Sequence, residues 1–171
     1  MFGITLRSAA PAEPFWQLVD AASEFEETPT IRALDYAPHI TLARYTDIDP
    51  DLLTAALAAL AGENAFQLTF DAVCAFAGEA PVLWLSPLPD RRLREAHARL
   101  HGAINAALCD PHYLPGGWAP HLTIAAAVRP ERRADAQAFM ARGIAPFTLS
   151  FEVVDCLSWP PVTVLAEQRL A

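Results

Sequence analysis

The sequence contains few cysteines and few charged residues, and it lacks a long hydrophobic run. Its three cysteines stand far apart among apolar neighbours, which favours buried, reduced thiols over a disulfide framework or a zinc site. No uninterrupted apolar stretch approaches the ~18 residues that span a bilayer, and the first residues lack the basic start and apolar core of a secretory signal. We therefore expect a cytoplasmic protein with no membrane partner.

Basic residues are scarcer than acidic ones. Lysine and arginine number 12 against 20 aspartates and glutamates, which gives a formal net charge of -8 and an isoelectric point of about 5.0. Such a surface repels polyphosphate and argues against long nucleic acid, so a nucleotide partner should be small or an RNA end. The hydrophobic content of 53% excludes a disordered chain, and the length suits a single domain. The composition carries no indication of an oligomeric state.

The chain repeats itself after about 80 residues. Residues 36–43, Tyr-Ala-Pro-His-Ile-Thr-Leu-Ala, are echoed at 118–125 by Trp-Ala-Pro-His-Leu-Thr-Ile-Ala. A second pair of segments, 66–71 and 147–152, matches at nearly the same offset. Because an internal repeat marks a duplicated structural unit, we predict two lobes with the same order of elements.

Hydrophobic periodicity indicates the same elements in both halves. Helical spacing of apolar residues is found at 15–25, 50–62, 93–108 and 130–143. Alternating apolar and polar residues predict strands at 66–71 and 147–152, and turn signals precede two further predicted strands at 82–85 and 162–165. The predicted fold is α+β, with two pseudo-symmetric lobes whose antiparallel sheets line a central cleft and whose helices lie outside. One domain covers 1–171, with lobe one at about 1–80 and lobe two at about 81–171. The sequence does not decide whether the two lobes exchange strands.

Each half carries a His-x-Thr motif, formed by His39 and Thr41 and by His121 and Thr123. Side chains alternate along a strand, so the His and Thr of one motif share a face. An imidazole can move a proton near neutral pH, and a threonine hydroxyl can donate to a phosphate oxygen. A single His-x-Thr is more often a packing feature, but its recurrence at the same place in both repeats favours a function. We predict that the motifs face one cleft and act on one phosphodiester.

The paired motifs resemble those of the 2H phosphoesterase superfamily, which includes 2'-5' RNA ligase-like proteins and cyclic nucleotide phosphodiesterases. Residues 81–86 and the helix after them are also similar to that family's mid-chain pattern. The resemblance implies that His39 and His121 are catalytic, that Thr41 and Thr123 bind phosphate, and that no cofactor or metal is required. The implied reaction is hydrolysis of a 2',3'-cyclic or related ribose cyclic phosphate, or of a 2'-5' phosphodiester, in a small nucleotide or RNA end.

Two alternatives stand beside hydrolysis, namely 2'-5' RNA ligation and a non-catalytic nucleotide-binding module in the same cleft. A metallohydrolase is disfavoured because the motifs supply two nitrogens, and the nearest acids, Asp35 and Asp47, form no cluster with them. His97 and His101 stand four apart on a predicted helix, but no third ligand accompanies them, so we expect them to pack in the interior.

Three further residues are candidates for substrate binding. Arg44 ends the first motif strand, as Arg129 follows the second, and its charge could attract an anion. It lies five residues after His39, however, so it should face away from the cleft unless a β-bulge intervenes. Tyr36 and Trp118 could stack on a base at the cleft mouth or could equally pack in the core.

Overall fold

Eight strands and five α-helices make up the computed structural model, which describes residues 1–171. The strands are β1 (Phe2–Arg7), β2 (His39–Tyr45), β3 (Phe66–Phe76), β4 (Val82–Pro87), β5 (Leu122–Ala125), β6 (Phe147–Phe151), β7 (Val153–Ser158) and β8 (Thr163–Arg169). The helices are α1 (Glu13–Ser23), α2 (Thr30–Ala33), α3 (Pro50–Ala56), α4 (Arg91–Ala103) and α5 (Arg133–Ala141). All strand pairs are antiparallel and belong to one sheet in the order β6-β3-β4-β5-β2-β1-β7-β8, which confirms the predicted α+β class.

The motif strands β2 and β5 lie side by side in the middle of the sheet, on a pseudo-twofold axis. Ile40 of β2 pairs with Leu122 of β5, its own counterpart in the repeat. Leu68 of β3 likewise pairs with its counterpart Leu149 of β6. Two equivalent residues can pair in antiparallel strands only where a twofold axis passes between them. The sequence repeat therefore corresponds to a symmetry of the sheet.

The two halves of the chain exchange their last strands. β3 pairs first with β6 and then with β4, the opening strand of the second half. The equivalent stretch of the second half, β6 followed by β7, pairs first with β3 and then with β1, the opening strand of the chain. A boundary near residue 80 thus separates the two sequence repeats. Each half of the sheet, β6-β3-β4-β5 and β2-β1-β7-β8, contains strands from both repeats. One cluster of 37 buried hydrophobic residues runs through both halves.

The helices cover the apolar face of the sheet, opposite the motif side chains. α1 buries Phe15, Val19 and Ala22 and packs against β5. α3 starts at Pro50, the first residue of the predicted segment 50–62, and the Asp49 side chain accepts a hydrogen bond from the amide of Asp51. It ends earlier than predicted, at Ala56, and a 3-10 helix, Leu57–Leu60, follows it. None of the helices has the length and hydrophobicity needed to cross a lipid bilayer.

Helix α4 is shorter than the predicted segment 93–108. It begins when Asp90 caps the amide of Leu93 at 2.7 Å, but it ends at Ala103. Asn105 then accepts a hydrogen bond from the amide of Ala107 and caps a separate 3-10 turn. A short polar side chain that bonds to the local backbone competes with helix continuation, and this competition explains the early end.

Two histidines on α4 are buried beneath the motif strands. The ring of His97 stacks on Trp118, with centroids 3.8 Å apart, and its Nε2–H donates to the carbonyl of Tyr113. The Nε2–H of His101 donates to the carbonyl of Leu42 in β2. Burial lowers the pKa of both rings, and for His97 burial together with the neighbouring His101 lowers it to about 4. Both rings are therefore neutral packing groups.

We expect the free energy of unfolding to fall as the pH is lowered from about 6.5 to about 4. His97 stays neutral in the folded protein over this range, whereas the unfolded chain takes up a proton near pH 6.5, so the unfolded state binds more protons. The loss from this residue has an upper bound of about 3 kcal/mol. Urea unfolding across this range should show a smaller pH dependence for His97→Gln than for the native protein. The same pH dependence in His97→Gln and in the native protein would contradict this assignment.

Candidate active site

The pairing of β2 with β5 sets the geometry of the candidate site. Ile40 and Leu122 pair and point into the core, so the residues on either side of them point to the opposite face. The His of each motif then lies opposite the Thr of the other motif. His39 and His121 are diagonal neighbours across the two strands, and such neighbours are about 7–8 Å apart, within reach of long or aromatic side chains. Both imidazoles therefore lie on the same face of the sheet.

Equivalent hydrogen bonds orient the two imidazoles. Nδ1 of His39 lies 3.0 Å from the carbonyl oxygen of Ala37, and Nδ1 of His121 lies 2.7 Å from that of Ala119. Because a carbonyl oxygen can only accept, each Nδ1 carries a proton. Each Nε2 is left free to accept a proton, or to donate one when the ring is charged. The Ala-Pro-His sequence shared by the repeats therefore fixes the tautomer of both rings.

The surroundings adjust the proton affinity of each ring. Burial lowers the pKa of both His39 and His121, while the hydrogen bond to the backbone carbonyl raises it. His39 is subject to two further effects, because the charge of His121 lowers its pKa and the carboxylate of Asp155 raises it. Two such rings beside each other resist carrying a charge simultaneously, which suits one proton donor and one proton acceptor.

The cleft differs on the two sides of the motifs. A cavity of about 150 Å³ opens beside His39, and one of about 610 Å³ opens beside His121. The small side is bordered by Thr5 and Tyr36. Around His121 three aromatic rings, those of Phe76, Trp84 and Tyr113, have centroids 5.0, 5.9 and 6.2 Å from the imidazole. The site thus has a small half beside His39 and a large half beside His121, and aromatic residues border both.

A β-bulge turns Arg44 toward the cleft. The register between β1 and β2 shifts so that Leu42 has no partner on β1. An extra residue reverses the alternation of side chains beyond it, so Arg44 shares the face of His39. It borders both halves of the cleft, and its Nε lies 3.8 Å from the carboxylate of Asp110.

The second motif strand has the same bulge but no cation. The shift between β4 and β5 leaves Ile124 without a partner, which puts Ala126 at the position equivalent to Arg44. Arg129 instead lies 3.5 Å from Glu131 and borders neither half of the cleft. The arginine at the cleft is therefore Arg44.

Tyr36 and Trp118 occupy equivalent places in the repeat but have different surroundings. Tyr36 borders the small half, with its ring 5.0 Å from that of His39. Trp118 is 5% exposed and borders neither half, and its Nε1–H donates to the carbonyl of Thr41. Of the two alternatives for these aromatic residues, packing therefore describes Trp118.

Sequence reasoning missed several residues beside the motifs. Phe76 gave no signal, because an aromatic residue at a strand end is common. Asp155 could have been noticed as the one acid within the apolar strand β7, yet its contacts depend on pairing across the whole chain. No group of three or more His, Cys, Asp or Glu side chains is arranged to hold a metal ion.

Comparison with known proteins identifies the family. The family model of the 2'-5' RNA ligase superfamily matches residues 11–161. The fold is similar to that of E. coli LigT in complex with 3'-AMP, at 18% identity and a TM-score of 0.65 over 99% of this chain and 97% of that chain. It is also similar to a crystal structure of a phosphoesterase (21%, TM-score 0.61, 99% and 97%) and to TT0787 of Thermus thermophilus (18%, TM-score 0.59, 98% and 96%). No curated protein matches the sequence. Because the family model spans most of its length, the chain belongs to the 2'-5' RNA ligase superfamily of 2H phosphoesterases.

Proposed function

We propose that the protein is a metal-independent phosphodiesterase that hydrolyses a 2',3'-cyclic or related ribose cyclic phosphate, or a 2'-5' phosphodiester, in a small nucleotide or RNA end. The observation that carries this proposal is the direct antiparallel pairing of the two His-x-Thr motifs. It surrounds one position with two imidazoles whose Nε2 atoms are free and with two hydroxyl groups.

In this mechanism the phosphate lies between the motifs. The hydroxyls of Thr41 and Thr123 donate to its non-bridging oxygens and stabilise the charge that develops there. The neutral imidazole takes a proton from water as the water oxygen bonds to phosphorus. The charged imidazole gives its proton to the ribose oxygen as the bond from phosphorus to that oxygen breaks. Exchange of protons with solvent restores the starting state.

The size and charge of the cleft support a small nucleotide as substrate. The large half measures about 610 Å³, within the range of small-ligand sites, and its aromatic wall offers surfaces for a base. E. coli LigT, whose fold is similar, has been crystallised with 3'-AMP, NADP+, ATP and phosphate. The net charge of -8 disfavours a long RNA partner.

Arg44 should contribute mainly to substrate binding. A charge-assisted hydrogen bond to phosphate contributes about 1.5–3 kcal/mol, so Arg44→Gln is expected to raise KM about 10- to 100-fold and to change kcat less. Steady-state kinetics on a hydrolysed substrate measure both quantities. Arg129→Gln is the matched control, since that arginine borders neither half of the cleft. Equal effects of the two changes would contradict a specific role for Arg44.

A substrate screen tests the proposed function. The purified protein is incubated with 2',3'-cyclic mononucleotides and 2'-5'-linked dinucleotides in excess EDTA, and the position of the product phosphate is determined by NMR. We expect hydrolysis of at least one class at an undiminished rate in the chelator. Absence of turnover on all of them would contradict the proposal, as would activity that EDTA removes and a divalent cation restores.

The family match is the observation that favours 2'-5' ligation as a second candidate. The same groups can catalyse a transesterification, in which a ribose 5'-hydroxyl replaces water as the nucleophile and the 3' oxygen of the cyclic phosphate leaves with a proton. Incubation of an RNA bearing a 2',3'-cyclic phosphate with an RNA bearing a 5'-hydroxyl separates the two reactions. Ligation would yield a 2'-5' linkage, whereas hydrolysis would yield a terminal monophosphate.

A further inference from the structure

A third cavity, of about 390 Å³, lies beside the second motif, and we call it the side cavity. Ala119, two residues before His121, borders both the side cavity and the large half of the cleft. Trp84 borders the side cavity, and its ring stacks on that of Phe76, which borders the large half, with centroids 4.7 Å apart. The ring of Trp84 is also 5.9 Å from the imidazole of His121. The side cavity therefore continues the cleft beyond the second motif.

Strand pairing puts the floor of the side cavity on the cleft face of the sheet. Trp84 of β4 pairs with Thr123 of the second motif and, on its other side, with Cys74 of β3. Partners in neighbouring antiparallel strands share a face, and so do residues two apart on one strand. Ser86 follows Trp84 by two residues and therefore points the same way. All three of these β3 and β4 residues border the side cavity.

The equivalent space in the first half of the sheet is filled. By the register of the strands, Arg7 on β1 is the counterpart of Ser86, and Asp155 on β7 is the counterpart of Cys74. The carboxylate of Asp155 accepts from Nε–H of Arg7 and from the hydroxyl of Tyr36, both at 2.5 Å. An ion pair and a tyrosine thus occupy the first half. A serine and a cysteine take the corresponding places in the second half and leave the side cavity open.

An arginine without an acidic partner borders the side cavity. Helix α4 carries four arginines, and three of them, Arg91, Arg92 and Arg99, each form an ion pair with a glutamate. Arg94 is exposed at the edge of the side cavity and forms neither an ion pair nor a side-chain hydrogen bond. A guanidinium binds phosphate oxygens through charge-assisted hydrogen bonds. Arg94 is therefore free to bind an anionic group that enters the side cavity.

The other lining groups suit a nucleoside. The carboxylates of Asp71 and Asp90 border the side cavity, and such groups accept hydrogen bonds from ribose hydroxyls and base amino groups. The ring of Trp84 offers a surface on which a base can stack. The volume of about 390 Å³ lies within the range of about 300–1,000 Å³ for small-ligand sites. Two acids and one cation together favour a nucleoside with a single phosphate over a polyphosphate.

We propose that the side cavity binds a second nucleotide, the one that precedes the terminal nucleotide of an RNA end with a 2',3'-cyclic phosphate. Arg94 binds the phosphate group that links the two nucleosides. The terminal nucleoside lies in the large half beside His121, and the chain passes Ala119 into the side cavity. This inference rests on the phosphodiesterase function proposed above and makes its substrate an RNA end of at least two nucleotides.

Equilibrium binding tests the inference without any turnover. The probes are 3'-AMP and the 3'-5'-linked adenosine dinucleotide with a 3'-phosphate, and isothermal titration calorimetry measures both dissociation constants. We expect the native protein to bind the dinucleotide at least about tenfold more tightly than 3'-AMP, because the dinucleotide adds a charge-assisted hydrogen bond and a stacked base. Arg94→Gln should remove most of this difference and leave the affinity for 3'-AMP unchanged. Arg91→Gln is the matched control on the same helix, because Arg91 does not border the side cavity, and it should change neither affinity.

A second variant tests the space instead of the charge. Ser86→Phe puts a large apolar side chain on the floor of the side cavity and should also remove the preference for the dinucleotide. The thermal midpoint shows whether this variant folds, and Arg94→Gln decides the question if it does not, since the Arg94 side chain is exposed. Equal affinity of the native protein for the two probes would overturn the inference. Equal weakening of both probes in Arg94→Gln would overturn it as well.

Kinetics separate this inference from the proposed function. On adenosine 2',3'-cyclic phosphate and on the dinucleotide that ends in this group, we expect kcat/KM to be about tenfold higher for the dinucleotide, and Arg94→Gln should abolish the difference. Hydrolysis of both substrates with equal kcat/KM would overturn the role of the side cavity and leave the phosphodiesterase proposal intact. Tighter binding of the dinucleotide that Arg94→Gln removes, in a protein that hydrolyses neither substrate, would refute the phosphodiesterase proposal and leave the binding site intact.

Discussion

His39→Ala and His121→Ala are each expected to reduce kcat by about 10²- to 10⁴-fold, the usual cost of losing a general acid or base. A backbone carbonyl holds the Nδ1 of each ring and leaves its Nε2 free to exchange a proton, and the pairing of β2 with β5 brings the two rings to one face of the sheet. The double variant should be little worse than either single one, because residues that act as one unit fail together. Initial rates on the preferred substrate measure the effect.

Both variants should fold like the native protein, and this has to be measured beside their activity. Both rings lie on the cleft face, so circular dichroism and the urea midpoint should change little. A folded His39→Ala or His121→Ala variant with near-native turnover would rule out the two-histidine mechanism. The duplicated motifs would then have to be a binding cradle, which is the non-catalytic alternative.

Thr41→Ala and Thr123→Ala should each lower kcat about 10- to 100-fold and leave a measurable enzyme. Each change removes one neutral donor to a phosphate oxygen, and the hydroxyl of the other motif remains. Thr41→Ser and Thr123→Ser are the matched controls, since serine keeps the hydroxyl and removes only a methyl group. We expect the serine variants to retain most of the native rate. Loss of activity in serine and alanine variants alike would indicate that packing, and not hydrogen bonding, explains these threonines.

The central part of the site could be predicted from the sequence because it depends on local patterns. A His-x-Thr on a strand puts both side chains on one face in any protein, and the repeat of the motif indicated a symmetric pair of strands. The pairing of Ile40 with Leu122 is the tertiary expression of that repeat. The α+β class and the interior position of His97 followed from periodicity in the same way.

The residues around the motifs depend on contacts that no local pattern encodes. A β-bulge at Leu42 turns the side chain of Arg44 to the cleft face. That bulge is a shift in the register between β1 and β2, and it is seen only once the two strands are paired. Asp155 lies 119 residues from Tyr36 in the sequence and reaches it only because β7 crosses to the first half of the sheet. Exchange of strands thus built the asymmetric part of the site, which the symmetric repeat could not reveal.

A crystal structure of the native protein with inorganic phosphate would test the central claim most directly. We expect one anion between the imidazoles of His39 and His121, within hydrogen-bond distance of both Nε2 atoms and of the hydroxyls of Thr41 and Thr123. Phosphate bound only at a place remote from both motifs, with the space between the two imidazoles occupied by water, would contradict the account.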